Sequence, residues 1–175
     1  MHYKKNNINQ IDASIPEEHY TKLVFEWNDT DKAYPQANTL AQLFSAQAQL
    51  CPDAIALVYE HEQVSYQALD DASNRLAREI RAQYLASHGH ALTPGTLIGV
   101  YLERSVNMVV SILAVLKAGG AYVPLSPEYP HARIEYILDD TATGLIVTEP
   151  HHQAQLAQWL EQDTMAMVSA STAWS

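Results

Sequence analysis

The run from Leu116 to Pro130, LKAGGAYVPLSPEYP, constrains the fold more than any other stretch of this chain. It packs a helix end, a double-glycine stop, a short buried strand and a proline-rich exit into one continuous block. Lys117 falls in the last helical turn, where a cation suits the carbonyl end of the helix dipole. Gly119 and Gly120 are free to adopt the left-handed conformation that ends a helix. Tyr122 and Val123 suit a strand, and Pro124, Pro127 and Pro130 are expected to forbid further ladder pairing until a new element begins. The helix feeding this block, Val106 to Leu116, is too short to span a bilayer and is interrupted by Asn107 and Ser111, so it reads as buried in protein.

The remaining elements are placed by periodicity and caps. Glu17 to Leu23 suits a short helix, followed by WNDTDKAYP from Trp27 to Pro35, where Asn28, Asp29, Thr30 and Asp31 form turns and Pro35 keeps Tyr34 extended. Thr39 to Leu50 reads as a helix with Leu40, Leu43, Phe44 and Ala48 on one face and Thr39 or Asn38 as its cap. Ala54 to Tyr59 and the pair Val64 and Tyr66 flank a polar Glu60-His61-Glu62-Gln63 turn, which makes a hairpin. Ser65 caps the next helix, whose buried stripe is Leu69, Ala72, Leu76 and Ile80. A loop from Ser87 to Gly95 leads into a strand from Leu97 to Leu102, and Ser105 starts the apolar helix that ends at Gly119. Pro130 opens a helix carrying Ile134, Ile137 and Leu138. A strand at Leu145 to Thr148, a helix around Leu156 to Leu160 and a strand at Met165 to Val168 follow.

Strands alternating with helices imply parallel pairing through right-handed crossovers. The Val and Ile runs do not alternate with polar residues, as expected for strands covered on both faces. The expected fold is α/β: a three-layer sandwich around a mostly parallel sheet, with an N-terminal β-hairpin.

Charge and cysteine content narrow the function. A net charge of −10 over 175 residues argues against nucleic acid and against anionic membrane surfaces, both of which need a basic face. Cys51 is the only cysteine, so an internal disulfide or a cysteine-based zinc site is excluded and a cytoplasmic setting is expected. No secretory signal is legible: Lys4 and Lys5 have no apolar stretch behind them.

Few residues are candidates for chemistry. His88 with His90, and His151 with His152, are two histidine pairs that either touch a metal or stand solvated in loops; neither has an established helical ligand spacing. Asp70 and Asp71 suit the positive end of their helix, and Asp139 and Asp140 close another. Ser65, Ser105 and Ser111 lack the elbow that surrounds a hydrolase serine. Cys51, before Pro52, reads as a small residue ending a helix. Arg75 with Glu79, and Glu103 with Arg104, are expected surface contacts of little energetic weight. Trp27 and Tyr34 either anchor a neighbouring domain or pack on their own.

Several motifs together resemble the front of the adenylation domains of nonribosomal peptide synthetases, in the AMP-binding, adenylate-forming superfamily. WNDTDKAYP resembles the segment joining a condensation domain to an adenylation domain. VSYQALDDASNRLA, Val64 to Ala77, resembles the passage from hairpin to helix. The stretch from Leu97 to Thr141, which contains LKAGGAYVP, resembles the following strand, helix and strand, and LIVTE, Leu145 to Glu149, the strand after that. The likeness covers about residues 17–150 and implies a lead-in and linker over 1–35, a partial AMP-binding domain over 36–150 forming an incomplete N-terminal subdomain, and a tail with a helix and a short strand over 151–175. Two positions depart from the pattern: Ser126 stands where the family usually has aspartate, and Ala68 where it often has glutamate, which removes the reciprocal half of a capping box at Ser65.

The resemblance implies a family that uses ATP and Mg and loads phosphopantetheine on a carrier domain. Its phosphate loop is rich in Ser, Thr and Gly and ends in lysine and glycine. Here Gly144 is the last glycine and Lys117 the last lysine. Glycine's freedom lets a backbone wrap phosphates, and a cation offsets the transferring charge. The expectation is therefore a truncated scaffold, inactive alone, with no catalytic, cofactor-binding or metal residue and no cofactor of its own. The alternatives are an interaction module that docks on a condensation domain or complements the remaining adenylation-domain segment, and a remnant of a disrupted gene. Exposed sheet edges are expected to favour self-association.

Overall fold

Leu97 to Tyr101 carries no charged side chain, and four of its five residues are buried, as suits a strand in the interior of a sheet. The structure, a computed structural model, describes residues 15–33, 38–160 and 165–174. The chain divides into two units, Met1–Ala37 and Asn38–Ser175.

In the first unit a helical turn, α1 (Glu17–Thr21), continues as a wide π turn over Lys22–Glu26, longer than the expected Glu17–Leu23. The Asn28 side-chain amide closes it by donating to the carbonyls of Leu23 and Val24 at 2.9 and 3.0 Å. Phe25 and Trp27 are exposed, and Tyr34 and Pro35 lie outside the described residues.

The second unit opens with α2 (Leu40–Leu50). Thr39 accepts from the Gln42 N–H while the Gln42 side chain accepts from the Thr39 N–H, a complete capping box. Its apolar stripe is narrower than its spacing predicts: Ala48 is buried, but Leu40 is 71% exposed. The hairpin β1 (Ile55–Tyr59) and β2 (Glu62–Ser65) is antiparallel. Its turn is only Glu60-His61, because Glu60 adopts a left-handed φ of 51° and frees Glu62 and Gln63 to pair. Tyr66 starts α3 (Tyr66–His88) instead of extending the strand, since the Ser65 Oγ accepts from the Ala68 N–H. Leu69, Ala72, Leu76 and Ile80 are buried as expected.

Beyond α3 the chain alternates: β3 (Leu97–Tyr101), α4 (Val106–Ala118), β4 (Ala121–Leu125), α5 (His131–Thr141), β5 (Leu145–Thr148), α6 (Pro150–Trp159) and β6 (Ala166–Ser169), closed by a 3-10 turn over Ala170–Trp174. The four strands β3 to β6 are parallel, in the order β4-β3-β5-β6. Side chains alternate between two cores. Ile98, Val100, Leu145, Val147 and Val168 meet α3 and α4 on one face. Tyr101, Leu125 and Ile146 meet α5 and α6 on the other. The result is an α/β sandwich with a parallel sheet and an antiparallel hairpin.

Pro124 lies inside β4 and does not end it. The Ala121 N–H donates to the Thr96 carbonyl at 2.8 Å, so alternate residues Tyr122 and Pro124 point their amide positions away from β3. On an edge strand the missing proline donor breaks no ladder bond. The two glycines before β4 serve different ends. Gly119 takes a φ of 97° at the helix stop. Gly120 needs its missing side chain, because a Cβ there would sit 3.0 Å from the Thr96 carbonyl oxygen and 2.9 Å from Ile98 Cδ1. Among the described residues no helix is long and apolar enough to cross a membrane.

Candidate functional site

The helix after β3 packs on one face of the sheet and the helix after β5 on the other. The loops leaving these neighbouring strands therefore diverge and open a crevice at their carboxyl ends, the place where open α/β sheets hold ligands. Glu103 to Ser105 follow β3 there, and Glu149 to His152 follow β5.

The crevice is bridged by hydrogen bonds. Asn107 donates its side-chain amide to Glu149 Oε1 at 2.9 Å, and Trp174 donates its indole N–H to Asn107 Oδ1 at 2.8 Å. Beneath them Thr148 Oγ1 donates to the Tyr101 carbonyl at 2.9 Å. The His152 ring stands edge-on to Tyr101, 5.2 Å between centroids, and its neighbour His151 places Nδ1 3.4 Å from Glu149 Oε2. Burial pushes the Tyr101 hydroxyl up, helped by the charge of Glu103. Burial, with His151 beside it, pulls the His152 imidazole below its ordinary value. Neither the Tyr101 hydroxyl nor His152 Nε2 has a hydrogen-bond partner among the described residues.

Two clefts flank this bridge. One, of 690 Å³, lies between the outer face of α4 and β4 and is lined by Tyr59, Glu103, Arg104, Met108, Tyr122 and Tyr129 among others. The other, of 600 Å³, lies between the hairpin and the start of α4 and includes Tyr59, Glu62, Asn107, Glu149 and Trp174.

The other sequence candidates are dispersed. His88 stacks on Tyr84 at 4.1 Å and covers Gly144, at the amino end of β5 and so at the opposite end of the strand from the crevice loops. His90 meets both rings edge-on. No group of three or more His, Cys, Asp or Glu among the described residues is arranged to hold a metal ion. Ser65 and Ser105 are helix caps, and Ser111 is buried in α4. Cys51 ends α2 and hydrogen-bonds within its last turn to Gln47. Asp139 and Asp140 close α5, and Ala142 ends it in the left-handed region. Two expected surface pairs do not form among the described residues. Arg75 donates instead to the Ala173 carbonyl at 2.8 Å, and Glu103 and Arg104 both face the larger cleft.

Lys117 falls in the last turn of α4 as expected, but its ammonium does not bond that turn's carbonyls. The cation on the carbonyl end of α4 is Arg81, which donates to the Lys117 and Ala118 carbonyls. The Lys117 ammonium turns inward to Asp70 at 2.7 Å and is 7% exposed. The last lysine of the sequence is thus held in a buried ion pair. Among the described residues the carboxyl-end clefts present Glu62, Glu103, Glu128 and Glu149 against the single cation Arg104. Phosphates require the opposite balance of charge, so these residues do not fit a nucleotide's phosphate tail.

A family model described as AMP-binding enzyme matches residues 44–174. The chain belongs to the AMP-binding enzyme family. The match runs beyond Pro150 and takes in α6, β6 and the closing 3-10 turn. The chain is 41% identical over 150 residues to bacitracin synthase 3 of Bacillus licheniformis, covering 86% of itself and 2% of that protein. It is 39% identical over 151 residues to tyrocidine synthase 3 of Brevibacillus parabrevis, covering 86% of itself and 2% of that protein. Among solved structures it resembles the AMPPNP-bound nonribosomal peptide synthetase FmoA3, with a TM-score of 0.69 and 27% identity over 86% of this chain and 15% of the other. The N-terminal subdomain of Klebsiella oxytoca NpsA shares the fold, with a TM-score of 0.64 at 19% identity over 79% of this chain and 33% of the other. The expected kinship with the front of peptide synthetase adenylation domains holds.

The bridge Asn107–Glu149–Trp174 and the Lys117–Asp70 pair had no local signal. Each joins residues dozens of positions apart, while motif spacing speaks only of near neighbours.

Proposed function

We propose that the chain supplies the N-terminal part of an amino-acid-activating adenylation domain of a nonribosomal peptide synthetase, and that these 175 residues alone do not activate an amino acid. In this family the reaction joins an amino acid to ATP, releases pyrophosphate and then loads a phosphopantetheine thiol. The identity of 41% to bacitracin synthase 3 supports the assignment to peptide synthesis. The burial of Lys117 against Asp70 is the observation that supports inactivity: it leaves the described crevice without a lysine to meet the phosphates. Amino-acid-dependent ATP–pyrophosphate exchange by the purified chain, across all proteinogenic amino acids, is expected to stay at the no-protein blank. Exchange above that blank overturns the proposal.

The sheet favours one further role for the same residues. β4 and β6 are its two edges, and each has a neighbour on one side only among the described residues. Unpaired strand edges invite pairing with another segment. The remaining segment of an adenylation domain, or a condensation domain beside it, is the expected occupant. Co-expression with those pieces and gel filtration test this: a complex supports it, and migration of the chain alone or only with itself counts against it.

A further inference from the structure

We propose that the 600 Å³ cleft between the hairpin and the start of α4 binds an organic ammonium head group. Its volume lies within the range that holds small organic molecules. Two carboxylates, Glu62 and Glu149, line it, together with the aromatic rings of Tyr59 and Trp174, and no lysine or arginine among the described residues does. Carboxylates and aromatic faces attract the same ligand: the first by charge, the second by the negative face of the ring. The chain's net charge of −10 adds a field of the same sign.

The walls are fixed in place before any ligand arrives. The Trp174 indole N–H donates to Asn107 Oδ1 at 2.8 Å, and the Asn107 amide donates to Glu149 Oε1 at 2.9 Å. This relay ties the closing 3-10 turn, α4 and the loop after β5 together across the cleft. It uses the indole N–H and Glu149 Oε1, while Oε2 lies 3.4 Å from His151 Nδ1; the ring face and the further lone pairs of the carboxylate are left for a guest. Pre-set groups lose little freedom on binding. The start of α4 is a positive helix end, but Ser105 caps it by accepting from the Met108 N–H at 3.2 Å. A quaternary or primary ammonium on a short organic stem fits this chemistry, whereas an anion meets two like charges.

Choline is the probe, and 3,3-dimethylbutanol, its uncharged isostere, is the control. The indole N–H resonance of Trp174, assigned through Trp174→Phe, is followed by heteronuclear NMR on the full chain at pH about 7.5, above the ordinary range of imidazole titration. Choline is expected to shift that resonance saturably below about 50 mM, with no saturable shift from the isostere. Glu62→Gln, on the exposed hairpin, and Glu149→Gln are each expected to weaken the effect by about threefold or more. Absence of a saturable shift overturns the proposal. So does an equal response to the isostere, or a response that the Glu62→Gln and Glu149→Gln variants leave unchanged.

Discussion

Lys117 Nζ lies 2.7 Å from Asp70 Oδ1, and the two side chains, on different helices, are 7% and 15% exposed. The same ammonium donates to the Asp70 carbonyl at 3.1 Å and to Ser73 Oγ at 2.8 Å, and lies 5.5 Å from the centre of the Phe44 ring. Asp70 in turn accepts from Ser45 at 2.8 Å and Asn74 at 2.7 Å. The pair thus fastens α2, α3 and α4 into one layer.

Lys117→Met keeps the apolar stem and deletes the charge, leaving a buried carboxylate with neutral donors only. Breaking one side of such a pair is expected to cost about 3 kcal/mol, read as a lower urea midpoint. Adding Asp70→Leu should cost less than the sum of the two single changes, because the stranded charge is gone. Burial pushes the Asp70 carboxyl up, but its bonds to Lys117, Ser45 and Asn74 outweigh this and hold it below the ordinary 3.8. A carboxylate depressed on folding stabilises above its unfolded pKa and loses that contribution as pH falls through the folded one. The gap between wild type and Lys117→Met should therefore narrow as pH falls, starting where the stranded carboxyl of the variant takes up a proton and ending where the depressed Asp70 of the wild type does. A midpoint unchanged by Lys117→Met would mean that the pair does not stabilise the fold.

The double glycine separates a conformational requirement from a spatial one. Gly119→Ala meets no atom closer than Leu92 Cδ2 at 3.9 Å but must hold a φ of 97°. That substitution is expected to cost about 1–2 kcal/mol. Gly120→Ala drives a Cβ against the Thr96 carbonyl, a backbone atom held by its own ladder bond to the Ala121 N–H. The expected cost is about 2–3 kcal/mol, with β3 and β4 pushed apart at their start. Thermal unfolding ranks the two, and a larger loss from Gly119→Ala contradicts the spatial account of Gly120.

Local chemistry explains how much of this was legible in the sequence. The caps Thr39, Ser65 and Ser105 each act on an N–H three residues on, so spacing alone finds them. β5 falls within the expected Leu145 to Thr148 because its apolar run is bounded by Gly144 and Pro150. Strand order was not legible, since nothing in β3 says that β4 lies on one side of it and β5 on the other. Lys117 does fall in the last turn of α4, but that its ammonium leaves the helix end for Asp70 was hidden for a related reason. Arg81 reaches the α4 carbonyls from α3, and a rule confined to one helix cannot see a donor on another. The closing turn over Ala170–Trp174 owes its place to Ala170 and Ala173, small enough to be buried under α3 and α4.

Ser126 departs from the family's usual aspartate without losing the turn. Its Oγ accepts from the Glu128 N–H at 3.3 Å, and its carbonyl accepts from the Tyr129 N–H at 3.0 Å. A carboxylate would accept the first bond more strongly, and charge-assisted bonds are shorter. Ser126→Asp is expected to raise stability by about 0.5 kcal/mol at neutral pH, an advantage lost when the new carboxyl is protonated. Equal melting temperatures of the two proteins at neutral pH would show that the serine already supplies all the turn needs.

His152 makes the docking of α6 sensitive to acid. It is 9% exposed, stands edge-on to Tyr101 and lies 4.0 Å from the His151 ring. Its burial, with His151 alongside, sets the folded imidazole below the ordinary 6.5, while Glu103 and Glu149 pull the other way without reversing it. The unfolded chain therefore takes up a proton at a pH where the folded chain does not. Stability is full above the ordinary value and falls as pH drops through it, until the folded imidazole itself is protonated. His152→Gln, uncharged at every pH, is expected to flatten the fall in melting temperature between about pH 7.5 and pH 5.5 relative to wild type. His151→Gln removes the neighbouring imidazole that helps to lower His152 and should leave the fall shallower than in wild type but still present. Parallel pH profiles for wild type and His152→Gln would show that this buried imidazole does not govern the acid response.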